Sequence, residues 1–147
     1  MQLRTELETG KFFCHGHAKD GRPVVYLMLG SENTWSAEGN TAAVIYTLER
    51  AIVSMKAQVT EAVYVIDCEG VGLTTAPATA FVSQLISVIG KHYPRRMGQI
   101  FICNVSSVFY FIWNVISLSL AEMTVKKIQI LTDDIEDMRT RIGMMYT

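Results

Sequence analysis

The sequence predicts one α/β domain with three layers, α/β/α, around a mostly parallel mixed sheet of about five strands with a hairpin at its edge. From Thr41 onward, short β-rich runs alternate with segments of helical periodicity, which is typical of parallel strands joined by right-handed crossovers. Asp20-Gly21 separates two strand-like runs that precede the first of these helices. The chain has 147 residues and half of them are hydrophobic, which is enough for a single domain over 1–147 with its own core.

The hairpin is predicted between Lys11 and Leu29, because Asp20-Gly21 favours a tight turn in which glycine adopts a positive φ. Pro23 cannot donate a hydrogen bond to a strand ladder, which places the hairpin at the edge of the sheet. The polar segment from Gly30 to Asn40 is predicted to be a loop. Thr41 then caps a helix that runs to about Gln58 and has apolar residues at helical spacing: Ile45, Leu48, Ile52 and Met55.

Further strands and helices follow in alternation. The β-rich run Ala62–Asp67 predicts a buried strand. Thr75 and Pro77 begin the second helix, because proline suits a first helical turn, and its apolar stripe consists of Ala78, Phe81, Val82, Leu85 and Ile89. This helix ends within residues 90–98, which contain two glycines and a proline. The remaining predicted elements are a strand over 99–105, a helix over 108–118, a strand over 126–131 and a short mixed helix in the tail over 132–147.

Residues 99–121 contain no charged side chain, and their length would suit a membrane span of about 20 residues. Polar side chains inside the segment argue against a span, because hydrocarbon could not satisfy them: Asn104, Ser106, Ser107, Asn114, Ser117 and Ser119. Either Ser106 or Ser107 is suited to cap a helix. The segment is therefore predicted to divide into a strand and a helix.

The helix predicted over 108–118 is apolar on nearly every side. One face carries Val108, Phe111, Ile112, Val115 and Ile116, and further apolar surface comes from Phe109, Trp113, Leu118 and Leu120. A helix of this kind is buried or meets lipid, and a domain of this size cannot bury a helix on all sides. We therefore expect a ligand or a partner to cover it.

Composition and spacing exclude several other functions. The formal net charge of −1 does not indicate a nucleic-acid partner. The three cysteines have no metal-ligand spacing and fit reduced thiols in the cytoplasm, and the start of the chain lacks the pattern of a signal peptide. His15 and His17 alternate on a predicted strand and would share a face, but spacing places no further ligands near them. No metal site and no cofactor are expected.

Asp67 and Glu69 follow the predicted strand Ala62–Asp67 at its carboxyl end, where α/β enzymes place catalytic carboxylates. A hydrolase or phosphotransferase that uses these two residues is one hypothesis. Capping of the following turn is the other interpretation, and we favour it because no phosphate-binding glycine loop or nucleophile elbow accompanies the pair. We therefore predict no catalytic residue and no enzymatic activity.

Four segments occur in an order and spacing that resemble a known family. They are DGRPVVYL at 20–27, VYVIDCEGVGL at 63–73, HYPRRMGQIFICNVSSVFYFIWNVI at 92–116 and MTVKKIQIL at 123–131. The third combines a tyrosine-proline step, a charged pair, a strand that ends in asparagine and an apolar helix, and the fourth places Thr-x-x-Lys before a strand. Together they resemble the CRAL-TRIO domain of retinaldehyde-, tocopherol- and phosphatidylinositol-transfer proteins over about residues 11–132.

The resemblance implies a pocket between the sheet and the helix over 108–118, with that helix acting as a gate. It also implies that one phospholipid or other hydrophobic molecule is sheltered there and exchanged during transient contact with a membrane surface. The residues expected to line the pocket are Phe81, Leu85, Phe109, Phe111, Ile112, Trp113 and Ile116. Thr124 and Lys127 match the Thr-x-x-Lys residues that hold phosphate and inositol in phosphatidylinositol-binding members, and a hydroxyl and an ammonium at this spacing can reach one anionic group.

Two departures from the family pattern bear on function. Arg95 stands where the phosphatidylinositol-binding members carry glutamate, which replaces an acceptor with a donor and would suit a more anionic headgroup. The usual helical extension before the first strand is not found in the given sequence, which is then either a minimal member of the family or part of a longer chain. Apolar surface left uncovered would promote a homodimer. The alternative hypothesis is a protein-interaction module of the same fold, without a lipid pocket and with the helix over 108–118 as its interface.

Overall fold

The structure, a computed structural model, describes residues 2–72 and 79–131. In chain order, its helices and strands are α1 (Gln2–Glu8), β1 (Phe12–His17), β2 (Pro23–Met28), α2 (Ala37–Ser54), β3 (Ala62–Asp67), α3 (Thr79–His92), β4 (Met97–Cys103), α4 (Ser107–Ile116), α5 (Glu122–Val125) and β5 (Ile128–Ile130). Short 3-10 turns occupy Leu29–Ser31 and Ser117–Ser119. The predicted start of the second helix at Thr75 and Pro77 and the predicted tail helix lie outside the described residues.

The five strands form one mixed sheet in the order β1-β2-β3-β4-β5. β1 pairs antiparallel with β2 at the edge, and the other three pairings are parallel. The register aligns Val25, Tyr64, Ile100 and Ile128 as one row across four strands. The α/β class, the mostly parallel sheet of five strands and the edge hairpin agree with the prediction, because strand–helix alternation imposes parallel crossovers.

The sheet has two buried faces. The first face carries Phe12, Val25, Leu27, Tyr64, Ile100 and Ile102, and side chains of α2, α3 and α4 pack against it. The second face carries Val24, Val63, Val65, Phe101, Cys103 and Leu131. Because successive side chains of a strand point to opposite faces of the sheet, each apolar strand contributes buried residues to both faces.

α2 begins earlier than the sequence indicated. The hydroxyl of Ser36 accepts a hydrogen bond from the Gly39 N–H at 3.0 Å, so Ser36 is the N-cap. Thr41, the predicted cap, lies inside the helix and donates to the Ala37 carbonyl at 2.7 Å. The prediction of Thr41 as the cap is wrong. Serine and threonine are both favoured at the N-cap, and the local sequence does not distinguish the two positions.

Other boundaries shift as well. α1 was not predicted, α3 continues through Gly90 to His92, and β4 starts at Met97 instead of residue 99. In β1, Cys14 pairs with Val25 and His17 pairs with Pro23, with Gly16 at φ +70° in the bulge between them. This extra residue puts His15 and His17 on opposite faces, contrary to the alternation expected for a regular strand.

The uncharged segment 99–121 divides as predicted, into most of β4, then α4 and a 3-10 turn. Among the helices in the described ranges, none combines the length and the apolar character needed to cross a bilayer.

A buried charged cluster joins the start of the chain to α2. The Lys11 ammonium, 1% exposed, lies 2.7 Å from Glu6 Oε2, 3.0 Å from Glu32 Oε1, 3.1 Å from Thr34 Oγ1 and 2.7 Å from Asn40 Oδ1. Burial raises the pKa of the Glu32 carboxyl, but hydrogen bonds from the Thr34 N–H and from Lys11 outweigh burial and lower this pKa to about 2. We call these five residues the Lys11 cluster.

Candidate functional site

A cavity of about 180 Å³ lies between the first face of the sheet and α4. From the sheet side it is lined by Leu27, Ile66, Met97, Ile100, Ile102 and Ile128, and from the helical side by Leu85, Phe109, Ile112, Trp113 and Ile116. Leu29, Cys68, Val71, Leu120 and Thr124 complete the lining. The cavity therefore occupies the space in which a fully packed core would continue.

The periodicity of the elements produces this lining. Alternation along the strands directs Ile100 and Ile102 to the face that α4 covers. On α4, the spacing of Phe109, Ile112, Trp113 and Ile116 places four apolar side chains on one side of the helix. The rings of Phe109 and Trp113 stack with centroids 6.0 Å apart.

The chain reaches α4 through a sharp turn. Asn104 has φ +55°, a left-handed conformation that asparagine tolerates, and it redirects the backbone after β4. The Ser106 hydroxyl donates to the Val71 carbonyl at 3.4 Å, so Ser106 is the N-cap by position but makes no side-chain bond to the helix. None of the residues of α4 is buried. The helix is thus held by partial contacts of one face.

The chemistry of the cavity wall is almost wholly apolar. Thr124 supplies a hydroxyl and Cys68 a thiol, and no charged side chain belongs to the lining that the described residues form. Burial raises the pKa of the Cys68 thiol to about 12, with smaller contributions from Cys103 and Asp67. A largely apolar wall with few polar groups is typical of sites that hold small hydrophobic molecules.

Most of the side chains predicted to line a pocket meet at this cavity: Leu85, Phe109, Ile112, Trp113 and Ile116. Phe111 does not join them, since it lies on the outer side of α4 and is 73% exposed. This corrects its predicted position and follows from the rotation of the helix, which points 109 and 113 at the sheet. The side chain of Phe81 lies outside the part of the chain that the structure describes.

The sheet half of the lining was missed by sequence reasoning. Ile66, Ile100, Ile102 and Ile128 read as ordinary core in apolar strands. A signal existed in the alternation of these strands, because residues two apart share a face and neighbouring parallel strands align. Only the tertiary packing identifies which of the two faces meets α4.

The predicted headgroup residues lie near the amino ends of β4 and β5, at the end of the sheet where the parallel strands begin. Thr124 lines the cavity. The Lys127 ammonium donates to the Met97 carbonyl at 2.7 Å and thereby ties the start of β5 to the start of β4. Arg95 is exposed in a left-handed turn at φ +65° and does not line the cavity.

At the opposite end of the sheet, where the parallel strands finish, Asp67 caps a turn. Its Oδ1 accepts from the Glu69 N–H at 2.8 Å and from the Asn104 side-chain amide at 2.9 Å. Both bonds stabilise the local chain path after β3. This geometry supports the turn-capping interpretation over the hydrolase hypothesis.

The outer surface of α4 and the segment after it expose large apolar side chains. They are Phe111 at 73%, Val115 at 56%, Leu118 at 86% and Met123 at 69%. We call these four residues the outer apolar face. Exposed apolar groups in such proximity along the chain are typical of surfaces that meet a membrane or another protein.

Comparisons with known proteins agree with the motifs. The profile of the CRAL/TRIO domain family matches residues 7–146. A CRAL-TRIO domain-containing protein of Schizosaccharomyces pombe is 24% identical over 87% of this chain, which covers 13% of that protein. The phosphatidylinositol/phosphatidylcholine transfer protein SFH14 of Arabidopsis thaliana is 30% identical over 80% of this chain, which covers 23% of it.

A solved structure shares the fold. The crystal structure of Sfh5 matches 94% of this chain with a TM-score of 0.78 at 18% sequence identity, and the chain covers 52% of that structure. The chain therefore spans less than a quarter of these two curated relatives and about half of the solved one.

Proposed function

The chain belongs to the CRAL/TRIO family, as its motifs predicted, and on this premise we propose that it binds one phospholipid or other hydrophobic molecule in the cavity beneath α4. The similarity to SFH14, which is named as a phosphatidylinositol/phosphatidylcholine transfer protein, supports a role in moving or sensing such a molecule. In this proposal the protein meets a membrane surface only transiently. No residue is assigned a catalytic role.

The observation that carries the proposal is an apolar cavity beside a helix with no buried residue. Apolar side chains around an unfilled space lack packing partners, so an empty cavity of this kind is destabilising. A hydrophobic ligand would recover that free energy and gain about 0.8 kcal/mol for each methylene removed from water. Ligand binding and completion of the core are then one event.

Entry of a ligand requires α4 to move. The cavity of about 180 Å³ is smaller than the 300–1,000 Å³ typical of pockets that hold a whole small molecule. α4 contributes only partly buried side chains, so it can swing outward at a lower cost than a buried helix. We propose that the outer apolar face contacts the bilayer while α4 is open, which would shield the exposed groups during exchange.

The polar end of the proposed site lies where the parallel strands begin, near the amino ends of β4 and β5. Thr124 lies at the cavity wall, and Lys127 would exchange its bond with the Met97 carbonyl for one with a headgroup when the ligand has one. Arg95, exposed at the same end, would attract an anionic membrane surface by about 1 kcal/mol.

Lipid retention after purification tests the proposal. The intact chain is expressed in cells, purified and examined by native mass spectrometry with lipid extraction, and we expect one lipid-derived mass per protein. Ile112→Trp fills the cavity and should abolish retention, whereas Val115→Trp, on the outer side of the same helix, should preserve it. Circular dichroism verifies that both variants fold. Equal retention in the two variants would refute binding in this cavity.

The outer apolar face also favours the protein-interaction alternative, because its exposed side chains could bury against a second protein. That hypothesis predicts no retained lipid and a concentration-dependent association that Leu118→Ser weakens. Sedimentation velocity across a hundredfold range of protein concentration separates the two candidates.

A further inference from the structure

Resting on the proposed function, we propose that the hydrogen bond between Asn104 and Asp67, which we call the latch, positions α4 over the cavity and sets how readily the helix opens. Neither Asn104 nor Asp67 lines the cavity, so both are positioning residues. The proposed function requires only that α4 can move, whereas the latch is a specific contact that controls the movement.

The latch lies where the chain turns from β4 into α4. Asn104 has φ +55°, and its side-chain amide donates to Asp67 Oδ1 at 2.9 Å. Two residues later, the Ser106 hydroxyl donates to the Val71 carbonyl at 3.4 Å. Both bonds run from the segment before α4 to the turn over residues 67–71, so together they fix the direction in which the helix leaves the sheet.

The turn over residues 67–71 is a firm anchor for these bonds. The Cys68 N–H donates to the Cys103 carbonyl at 3.0 Å, which continues the ladder between β3 and β4 beyond the strands. The Val71 N–H donates to the Cys68 carbonyl at 3.0 Å, and both residues are buried and line the cavity. The latch therefore joins α4 to a part of the cavity wall that the sheet holds in place.

Ser106 departs from ordinary helix capping in the same direction. A serine at the N-cap commonly accepts a hydrogen bond from an N–H of the first turn, as Ser36 does at the start of α2. Ser106 is the N-cap of α4 but makes no such bond, because its hydroxyl is directed to Val71. The start of α4 is thus tied to the neighbouring turn in preference to its own first turn, and such local departures are typical of functional segments.

The strength and the exposure of the latch suit a contact that opens and closes. Hydrogen bonds to carboxylate oxygens are stronger than those between neutral groups. Asn104 is exposed and Asp67 is partly buried, so water can replace the bond when it breaks. Because α4 has no buried residue, the loss of one such bond should change its opening measurably.

Reciprocal exchange of the two side chains tests the latch. Asn104→Asp keeps a residue type that tolerates positive φ, but it sets a second carboxylate against Asp67 and removes the bond. Adding Asp67→Asn restores the bond in the opposite direction, because the new amide at position 67 can donate to the carboxylate at position 104. The carbonyl oxygen of that amide can still accept from the Glu69 N–H.

Hydrogen exchange followed by mass spectrometry measures the opening of α4 in protein freed of lipid. Asn104→Asp should raise the exchange rate of residues 107–116 at least about threefold and leave residues 37–54 of α2 unchanged. The double variant should return to the rate of the parent. Asn114→Asp makes the same substitution at an exposed position of α4 and, as the matched control, should leave the exchange unchanged.

Release of a probe connects the latch with ligand exchange. Delipidated protein is loaded with N-phenyl-1-naphthylamine, an uncharged apolar fluorophore, and mixed with excess methyl-β-cyclodextrin in a stopped-flow instrument. Release from Asn104→Asp should be about three- to tenfold faster than from the parent, which is the value of one hydrogen bond. Release from the double variant should match the parent.

The outcomes separate the latch from the proposed function. Parental exchange in Asn104→Asp, or no rescue by the second substitution, would overturn the latch while ligand binding stands. Equal acceleration in α2 and α4 would also overturn it, because the pair would then serve the stability of the whole domain. If no lipid is retained after purification and the probe does not bind, the proposed function falls and the role of the latch in exchange falls with it.

Discussion

The parts of the sheet's first face that α2 and α4 cover are packed in opposite ways. α2 contributes eight buried residues and lies beside the Lys11 cluster, where a buried ammonium has every neighbouring oxygen within 3.1 Å. α4 has no buried residue, and an apolar cavity separates it from the sheet. The α2 side is filled and has a buried charged cluster beside the start of the helix, whereas the α4 side is apolar and incompletely filled.

The difference in packing between the α2 side and the α4 side suits one side to stability and the other to ligand binding. Buried charges tolerate little displacement, because each lost partner leaves an uncompensated group in a low dielectric. Apolar contacts are not directional, so they can rearrange around a ligand at small cost. In the proposed function, the α2 side holds the domain together while the α4 side supplies the part that moves.

The largest expected effect comes from Lys11→Met. The substitution leaves the Glu6 and Glu32 carboxylates buried without their cation, and we expect a loss of about 3–5 kcal/mol in the free energy of unfolding. Urea denaturation at pH 7 measures it. Arg4→Met removes the exposed pair with Glu8 and should cost less than about 1 kcal/mol. Similar losses in the two variants would show that the Lys11 cluster is not an anchor.

Truncation of apolar side chains on the two helices sharpens the comparison. Leu48→Ala on α2 opens a new void in a filled core and should cost about 3 kcal/mol. Ile112→Ala on α4 enlarges a cavity that already exists, and we expect a loss of about 1 kcal/mol in protein freed of lipid. Urea denaturation of both variants provides the values, and equal losses would contradict incomplete packing beneath α4.

An effect smaller than those of Lys11→Met and Leu48→Ala concerns pH. Because the pKa of Glu32 is about 2 in the folded protein and 4.5 is its ordinary value, its ionised form favours folding above pH 4.5. This stability is lost as the pH falls from 4.5 towards 2, and its magnitude is on the order of 2 kcal/mol.

Glu32→Gln should be less stable than the parent at pH 7 and should lose less stability between pH 5 and pH 2. Thermal unfolding followed by circular dichroism over that range measures both effects. Glu8→Gln, at an exposed carboxylate, should keep the pH dependence of the parent. An unaltered pH profile in Glu32→Gln would exclude Glu32 as the titrating group.

Much of the fold could be predicted because its signals are local. The turn at Asp20-Gly21, the β-rich run of β3 and the helical spacing within α4 each lie within a few consecutive residues. Parallel order then follows from alternation and crossover handedness. The cap at Ser36 was missed because Ser36 and Thr41 carry the same capping chemistry, and local sequence does not rank them.

The site was predicted only in part. The apolarity of α4 indicated that something must cover it, and five of the seven side chains expected at a pocket line the cavity. Phe111 was misplaced because a helix that is apolar all round gives no periodic signal for its inner face. The bond between Lys127 and the Met97 carbonyl joins residues 30 positions apart and has no sequence signature.

By itself the sequence determined the α/β class, the mostly parallel sheet, the division of residues 99–121 and the family, because each depends on periodicity or on contiguous motifs. Tertiary structure alone decided which face of α4 meets the sheet and how much space remains between them. It also decided that Lys11, which by its type would be expected at the surface, is buried among oxygens from three separate segments. The physical reason is that packing volume and charge compensation depend on distances between residues remote in the chain, and periodicity carries no information about those distances.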